Sequence, residues 1–161
     1  GTGEKWELHL PGGIYAFSNK RELIISREKP KAKEKKSFFY TFTVPGEVEV
    51  KELGKKIRAS VLEEDPQLLD DPKTAYVDYS SLGKNIIVRN RNDGDKFIPL
   101  GMKGSKKLQD FFVDEKIPSE FRDYVPVVES AGKIVWVGGH RIDDRAKVTK
   151  RTKKTVKFEL I

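Results

Sequence analysis

Apolar and polar positions alternate along most of this chain, and that period of two predicts a β-rich fold. Trp6, Leu8 and Leu10 stand at alternate positions before a Pro11-Gly12-Gly13 turn, and Ile14 to Phe17 and Leu23 to Ile25 resume the extended pattern. Phe38, Tyr40, Phe42 and Val44 alternate strictly up to Pro45-Gly46, and Val48 and Val50 keep the same period. Such an aromatic row reads as the core face of a sheet, with a base-stacking platform as the alternative. Ile57, Ala59 and Val61 mark another half-buried strand. The acidic run from Glu63 to Pro72 then reads as a solvated loop or a short helical turn, and Tyr76 to Asp78 as a short strand.

In the second half, Ile86 to Val88 predict a buried strand, Asp93-Gly94 a tight turn, and Phe97 to Leu100 a second apolar stretch. Leu108, Phe111 and Phe112 fall at i, i+3 and i+4, one face of a helix, with Ser105 expected as its N-cap and Lys106 and Lys107 in its first turn. A second short helix is expected after Pro118, capped by Ser119, with Phe121 facing inward and Pro126 ending it. Val127-Val128 and Ile134 to Val137, joined at Ala131-Gly132, read as a hairpin buried on both faces, followed by a bend at Gly138-Gly139. Val156, Phe158 and Leu160 give a final strand, on which Lys154 and Lys157 are expected to guard an exposed edge. The pattern as a whole predicts a mainly β, layered domain with two short helices near 105–125. A β-rich part, 1–85, and a second part, 86–161, are expected to form one compact domain.

Composition narrows the function classes. The chain has 161 residues, enough to bury a core without staples, and no cysteine, which removes thiolate metal sites and cysteine nucleophiles. The absence of cysteine fits a reducing, cytoplasmic setting. No apolar run approaches the roughly 20 residues of a membrane helix, and the first residues lack the layout of a secretion signal, so a soluble chain is expected. The net charge of +7 favours an anionic partner such as nucleic acid. The charged segment 27–36 reads as an exposed connector.

The chemistry of an enzyme is harder to find. His9 and His140 have no spacing that forms a triad or a metal site, and Asp93-x-Asp95 is more simply an Asp-Gly turn, with Asp95 expected to bind turn amides or pin an arginine. Neither G-x-x-x-x-G-K-[ST] nor G-x-G-x-x-G occurs. No catalytic residue and no metal ligand is assigned.

What the pattern does offer is a glycine-punctuated loop, Gly101 to Ser105, running into a lysine-bearing helix start. Backbone N–H groups and the positive pole of a helix favour an anion there, and lysines in the first turn would need one. Gly101, Gly104 and Ser105 are therefore candidate phosphate-loop backbone. The plainer reading is that the lysines point into water and the glycines only serve the turn.

A resemblance adds to this reading. The ordered series Arg89-x-Arg91-x-x-Gly94-Asp95-Lys96-Phe97-x-Pro99-Leu100-Gly101-Met102-x-Gly104-x-Lys106-Lys107-Leu108-x-Asp110-Phe111-Phe112 leads to Lys116-Ile117-Pro118, Arg122-Asp123 and Pro126. Trp136-Val137, Gly139, Arg141-Ile142 and Lys147-Val148-Thr149 follow. Residues 88–157 thereby resemble the C-terminal domain of bacterial tRNA(Ile)-lysidine synthetases. The resemblance implies a sandwich-like β domain of the type shared with the phenylalanyl-tRNA synthetase β chain, and a non-catalytic role in gripping the acceptor stem of tRNA(Ile) with a CAU anticodon. ATP and Mg would belong to an N-terminal catalytic domain, a partner within the same enzyme, and a homodimer is left open. The candidate RNA contacts are Arg89, Arg91, Lys103, Lys106, Lys107, Arg122, Arg141, Lys147 and Lys150, with Arg89 and Arg91 expected to share one side. A protein-docking module, and a small phosphate-ester enzyme built on the Gly101 to Lys107 corner, are the alternatives.

Overall fold

The computed structural model describes residues 6–19, 22–27, 37–63 and 66–161. The chain forms two compact units, Gly1–Glu34 and Lys35–Ile161. Strands from either side of residue 86 pair directly with one another within the second unit. Of the charged segment 27–36, all but Arg27 lies outside the described residues.

The first unit is an antiparallel meander of β1 (Trp6–Leu10), β2 (Ile14–Asn19) and β3 (Glu22–Ser26). Gly12 and Gly13 both take positive φ in the turn that joins β1 to β2, as a tight hairpin requires. His9 and Tyr15 are cross-strand partners and stack with ring centroids 4.5 Å apart.

The second unit is built on two antiparallel sheets. β4 (Phe39–Phe42), β8 (Ile86–Arg89), β11 (Val127–Ser130), β12 (Lys133–Val137) and β13 (Arg141–Ile142) form one, in the order β13-β12-β11-β8-β4. β5 (Gly46–Val50), β6 (Lys55–Leu62), β7 (Thr74–Asp78) and β14 (Thr155–Leu160) form the other, in the order β5-β6-β14-β7. One core joins them: Ile86, Val88, Val128, Val135 and Trp136 from the first pack with Val50, Ile57, Val77, Val156 and Phe158 from the second. Phe38 is buried in this core, and Tyr40, Phe42 and Val44 pack against it, so the aromatic row is a core face and not a stacking platform.

A second core lies on the other face of the five-stranded sheet. There Val127, Ile134 and Val137 meet Phe97 and the helix α1 (Leu108–Asp114) through Leu108, Phe111 and Phe112. Burying each of these large side chains contributes about 1.5–3 kcal/mol. The hairpin serves both cores because its register shifts: Val128 pairs with Trp136 and Glu129 with Ile134, which leaves Val135 unopposed. The bulge lets Val135 and Trp136 both join the sandwich core while Ile134 and Val137 join the helix side. Ala131 and Gly132 both have positive φ in the connecting turn.

Several local expectations are corrected. α1 begins at Leu108, not after Ser105; Lys106 and Lys107 form a two-residue strand, β10, paired with β9 (Lys96–Phe97). Ser105 therefore caps nothing, and no lysine sits in the first helical turn. The first helical N–H, that of Leu108, is instead taken by the carbonyl of Asp95 at 2.8 Å. α1 ends with Lys116 at φ 56°, Ile117 N–H donating to Phe112 O and Lys116 N–H to Val113 O, and Ile117 packs back on the helix-side core. The second helix is a 3₁₀ segment, Ser119–Tyr124, entered from Pro118, and Phe121 faces outward, 48% exposed. β14 is an interior strand, paired with β6 and β7, so Lys154 and Lys157 guard no edge.

Candidate nucleic-acid interface

The turn after β8 organises the basic region. Gly94 takes φ 83°, which permits the tight return of the chain. Asp95 closes the turn by accepting the Asn92 N–H at 2.7 Å. The same carboxylate receives both Nη groups of Arg89, at 2.9 and 3.0 Å, while Arg89 Nε donates to Glu129 at 2.8 Å and Nη1 also to the Asn90 carbonyl. Burial opposes the charged form of Arg89, but the hydrogen bonds to Asp95 and Glu129 outweigh it, and its pKa is raised. Arg89 thus ties β8, β11 and the turn together, and through Asp95 it also fixes where α1 starts.

Above this guanidinium lies a concavity of about 310 Å³, lined by Arg89, Asp95, Lys96, Ser105, Glu129, Lys133 and Arg145 among others. Lys96 comes from β9, Lys133 from the start of β12, and Arg145 from a 3₁₀ turn, Asp144–Ala146, after β13. Arg145 is held from behind: its backbone N–H, Nε and Nη2 donate to the carboxylate of Asp143 at 2.8–2.9 Å, and Asp143 also accepts the Ile98 N–H. Asp143 is fully buried; desolvation pushes its pKa up, but these hydrogen bonds prevail and lower it. Lys96 and Lys107 stand directly opposite each other in the β9–β10 ladder, and neither forms an ion pair among the described residues. Two like charges so placed repel, by a few tenths to about 1 kcal/mol.

The nine cations expected to touch RNA do not make one surface. Arg89 is buried and committed to carboxylates, so it cannot be a free surface cation as expected. Arg91 is not its partner on a shared phosphate run: its Nε donates to Asp123 at 3.0 Å and its guanidinium lies over the Phe112 ring. Arg122 Nε donates to the Ile117 carbonyl, Lys106 pairs with Asp114, and Lys147 with Asp144. Arg141 pairs with Glu115 at 3.2 Å and lies over Phe111. Arg141 and Lys147 line a different groove, with Leu68, Leu69, Leu100 and Trp136. Lys103, Lys107 and Lys150 are exposed and unpaired among the described residues.

The anion loop is also changed. Gly101 has φ 87° and its N–H is taken by Asp144 at 3.1 Å, so it does not offer that group to a ligand; Gly104 and Ser105 are exposed. With Lys106 and Lys107 on a strand, the corner pictured for a phosphate-ester enzyme does not form. Sequence reading missed Lys96, Lys133 and Arg145. Lys96 stood inside the Gly94-Asp95-Lys96-Phe97 stretch and Arg145 beside an Asp-Asp pair, but only the register of β9, β10 and β12 brings them together.

The family model for the TilS substrate C-terminal domain matches residues 86–158. A tRNA(Ile)-lysidine synthase of Caldanaerobacter subterraneus is 41% identical over 156 residues, covering 95% of this chain and 32% of that protein. One from Clostridium acetobutylicum is 31% identical over 155 residues, 96% of this chain and 34% of that protein. A crystal structure of a TilS C-terminal domain superposes with a TM-score of 0.68 at 28% identity, covering 78% of this chain and 96% of that one. The chain belongs to the TilS C-terminal domain family. It spans about a third of the length of these curated relatives. The mainly β fold expected from the alternating pattern is the fold of this family.

Proposed function

We propose that this chain is the tRNA-holding, non-catalytic portion of a tRNA(Ile)-lysidine synthase, and that it grips the acceptor stem of tRNA(Ile) bearing a CAU anticodon. An N-terminal portion of the same cytoplasmic enzyme, which would carry ATP and Mg, then joins lysine to the anticodon. The observation that carries this reading is the cluster of cations around one concavity that have no carboxylate partner among the described residues, Lys96 and Lys133 on its wall with Lys107 opposite Lys96. Base-paired RNA presents phosphates and 2'-hydroxyls more readily than base edges, and a cationic concavity set on rigid strands suits that target.

The test is a titration of the chain against tRNA(Ile) and against a hairpin copying its acceptor stem. Three phosphate contacts would weaken binding roughly 20- to 40-fold between about 50 and 200 mM salt. Binding that ignores salt, or equal affinity for a hairpin copying the anticodon stem, would overturn the acceptor-stem reading.

A second reading rests on the other groove, where Leu68, Leu69 and Leu100 are exposed beside Arg141 and Lys147. Exposed leucines in a concavity support docking of a protein surface, here the N-terminal portion of the enzyme. Salt-insensitive association of the two separately made portions, lost on Leu68→Ser with Leu69→Ser, would support it; association unchanged by those substitutions would refute it.

A further inference from the structure

We infer that the concavity between β9, β12 and the Arg145 turn is a pocket for a single phosphate group of the bound RNA, held by Lys96, Lys133 and Arg145 with Ser105 as a neutral donor. The inference rests on the RNA-holding reading above and names the subsite within it.

The charges lining the pocket explain why an anion belongs there. Four cations, Arg89, Lys96, Lys133 and Arg145, face two carboxylates, Asp95 and Glu129. Both carboxylates accept from Arg89, at 2.8 to 3.0 Å, and Asp143 behind Arg145 is a third, so four positive charges stand against three negative ones and the surplus lies at Lys96 and Lys133. Lys96 and Lys133 have no carboxylate partner among the described residues, and Lys96 also faces the like charge of Lys107 across the ladder. An anion seated between them removes that repulsion, whereas a cation would add to it.

Geometry favours a compact tetrahedral anion over an extended one. Arg145 is locked on one edge by Asp143 through Nε and Nη2, which leaves its Nη1 group without an acceptor among the described residues. A guanidinium so anchored loses little conformational freedom when its other edge meets a ligand. Lys96 and Lys133 reach from two strands, and Ser105 supplies a hydroxyl from the loop before β10. Point-charge lysines, a planar guanidinium and a hydroxyl converging from three directions match the oxygens of a phosphate. In RNA that phosphate is either an internal phosphodiester, with two non-bridging oxygens, or the 5'-terminal monophosphate, with three.

The experiment uses the whole 161-residue chain with Lys96→Ala, Lys133→Ala, the double variant and Lys153→Ala as a control outside the pocket. Each is titrated with the acceptor-stem hairpin carrying either a 5'-phosphate or a 5'-hydroxyl, over a range of salt. Each pocket variant should lose roughly 3- to 10-fold in affinity and lower the salt slope by about 0.7 to 0.9, as one lost phosphate contact does. The double variant should lose less than the product of the singles, because both lysines meet one phosphate. A deficit present with both hairpins assigns an internal phosphodiester; one confined to the 5'-phosphorylated hairpin assigns the terminal group; either supports the pocket.

Pocket variants that bind the hairpin with unchanged affinity and slope would overturn the inference while leaving RNA binding intact. Inorganic phosphate, followed by the backbone amide resonances of Ser105, Gly132 and Lys133, separates the remaining case. If the chain binds no RNA but those resonances move with phosphate, and do not in the double variant, the RNA reading falls and the anion pocket stands. If they do not move, the pocket falls as well.

Discussion

Replacing Arg89 with methionine is expected to cost stability before it touches any partner. In the native fold Arg89 makes three hydrogen bonds to carboxylates, two to Asp95 and one to Glu129, with side-chain exposures of 10% for Arg89, 12% for Asp95 and 24% for Glu129. Hydrogen bonds to charged groups contribute about 1.5–3 kcal/mol each, but desolvating three charges offsets much of that sum. Removing one partner alone leaves two half-dry carboxylates close together, and such losses cost about 3–5 kcal/mol. In a unit of this size that corresponds to a fall in thermal midpoint of roughly 8–20 °C. Urea unfolding checks it: the midpoint of Arg89→Met should drop with the slope unchanged. Adding Asp95→Asn and Glu129→Gln should restore more than half of the loss, since the unpaired charges are then gone. A single Arg89→Met that costs under about 1 kcal/mol, or a triple variant no better than the single, would refute the view of Arg89 as a structural tie.

Asp143 has a pKa held below the usual carboxylate range, so its contribution to stability is fully present above the unfolded value near 3.9 and is lost as pH falls through the lower folded value. Wild type should therefore lose stability more steeply than Asp143→Asn below about pH 4, while the variant is about 1–3 kcal/mol weaker at neutral pH; urea midpoints across pH show both. Gly138→Ala should destabilise by about 1–3 kcal/mol, because a Cβ there would lie 2.6 Å from Pro126 Cγ and 2.9 Å from its carbonyl oxygen, and calorimetry reads the shift. Lys116→Gly should raise the thermal midpoint by an amount worth up to about 1 kcal/mol, since φ 56° at the end of α1 strains a residue with a side chain.

The alternation of Phe38, Tyr40, Phe42 and Val44, of Ile57, Ala59 and Val61, and of Val156, Phe158 and Leu160 was enough to predict strands and their buried faces. Side chains on a pleated strand point alternately, so burial writes itself into the residue order. The face of α1 was legible for the same reason, at a period of 3.6. Family membership was likewise carried by the ordered series from Arg89 to Phe112. The beginning of α1 was not, because Lys106 and Lys107 are excellent helix residues locally and became a strand only by pairing with Lys96 and Phe97. Nor was the interior place of β14, since a strand's neighbours are chosen by the whole sheet. The candidate site lies at the far end of this scale. Which arginine is sealed by a carboxylate and which lysine is left without one depends on partners up to 45 positions away, such as Glu129 for Arg89 and Ile98 for Asp143. Periodicity reports only whether a position faces the core or the solvent. The charge left unanswered at a surface is a property of pairs, and only the folded chain decides the pairs.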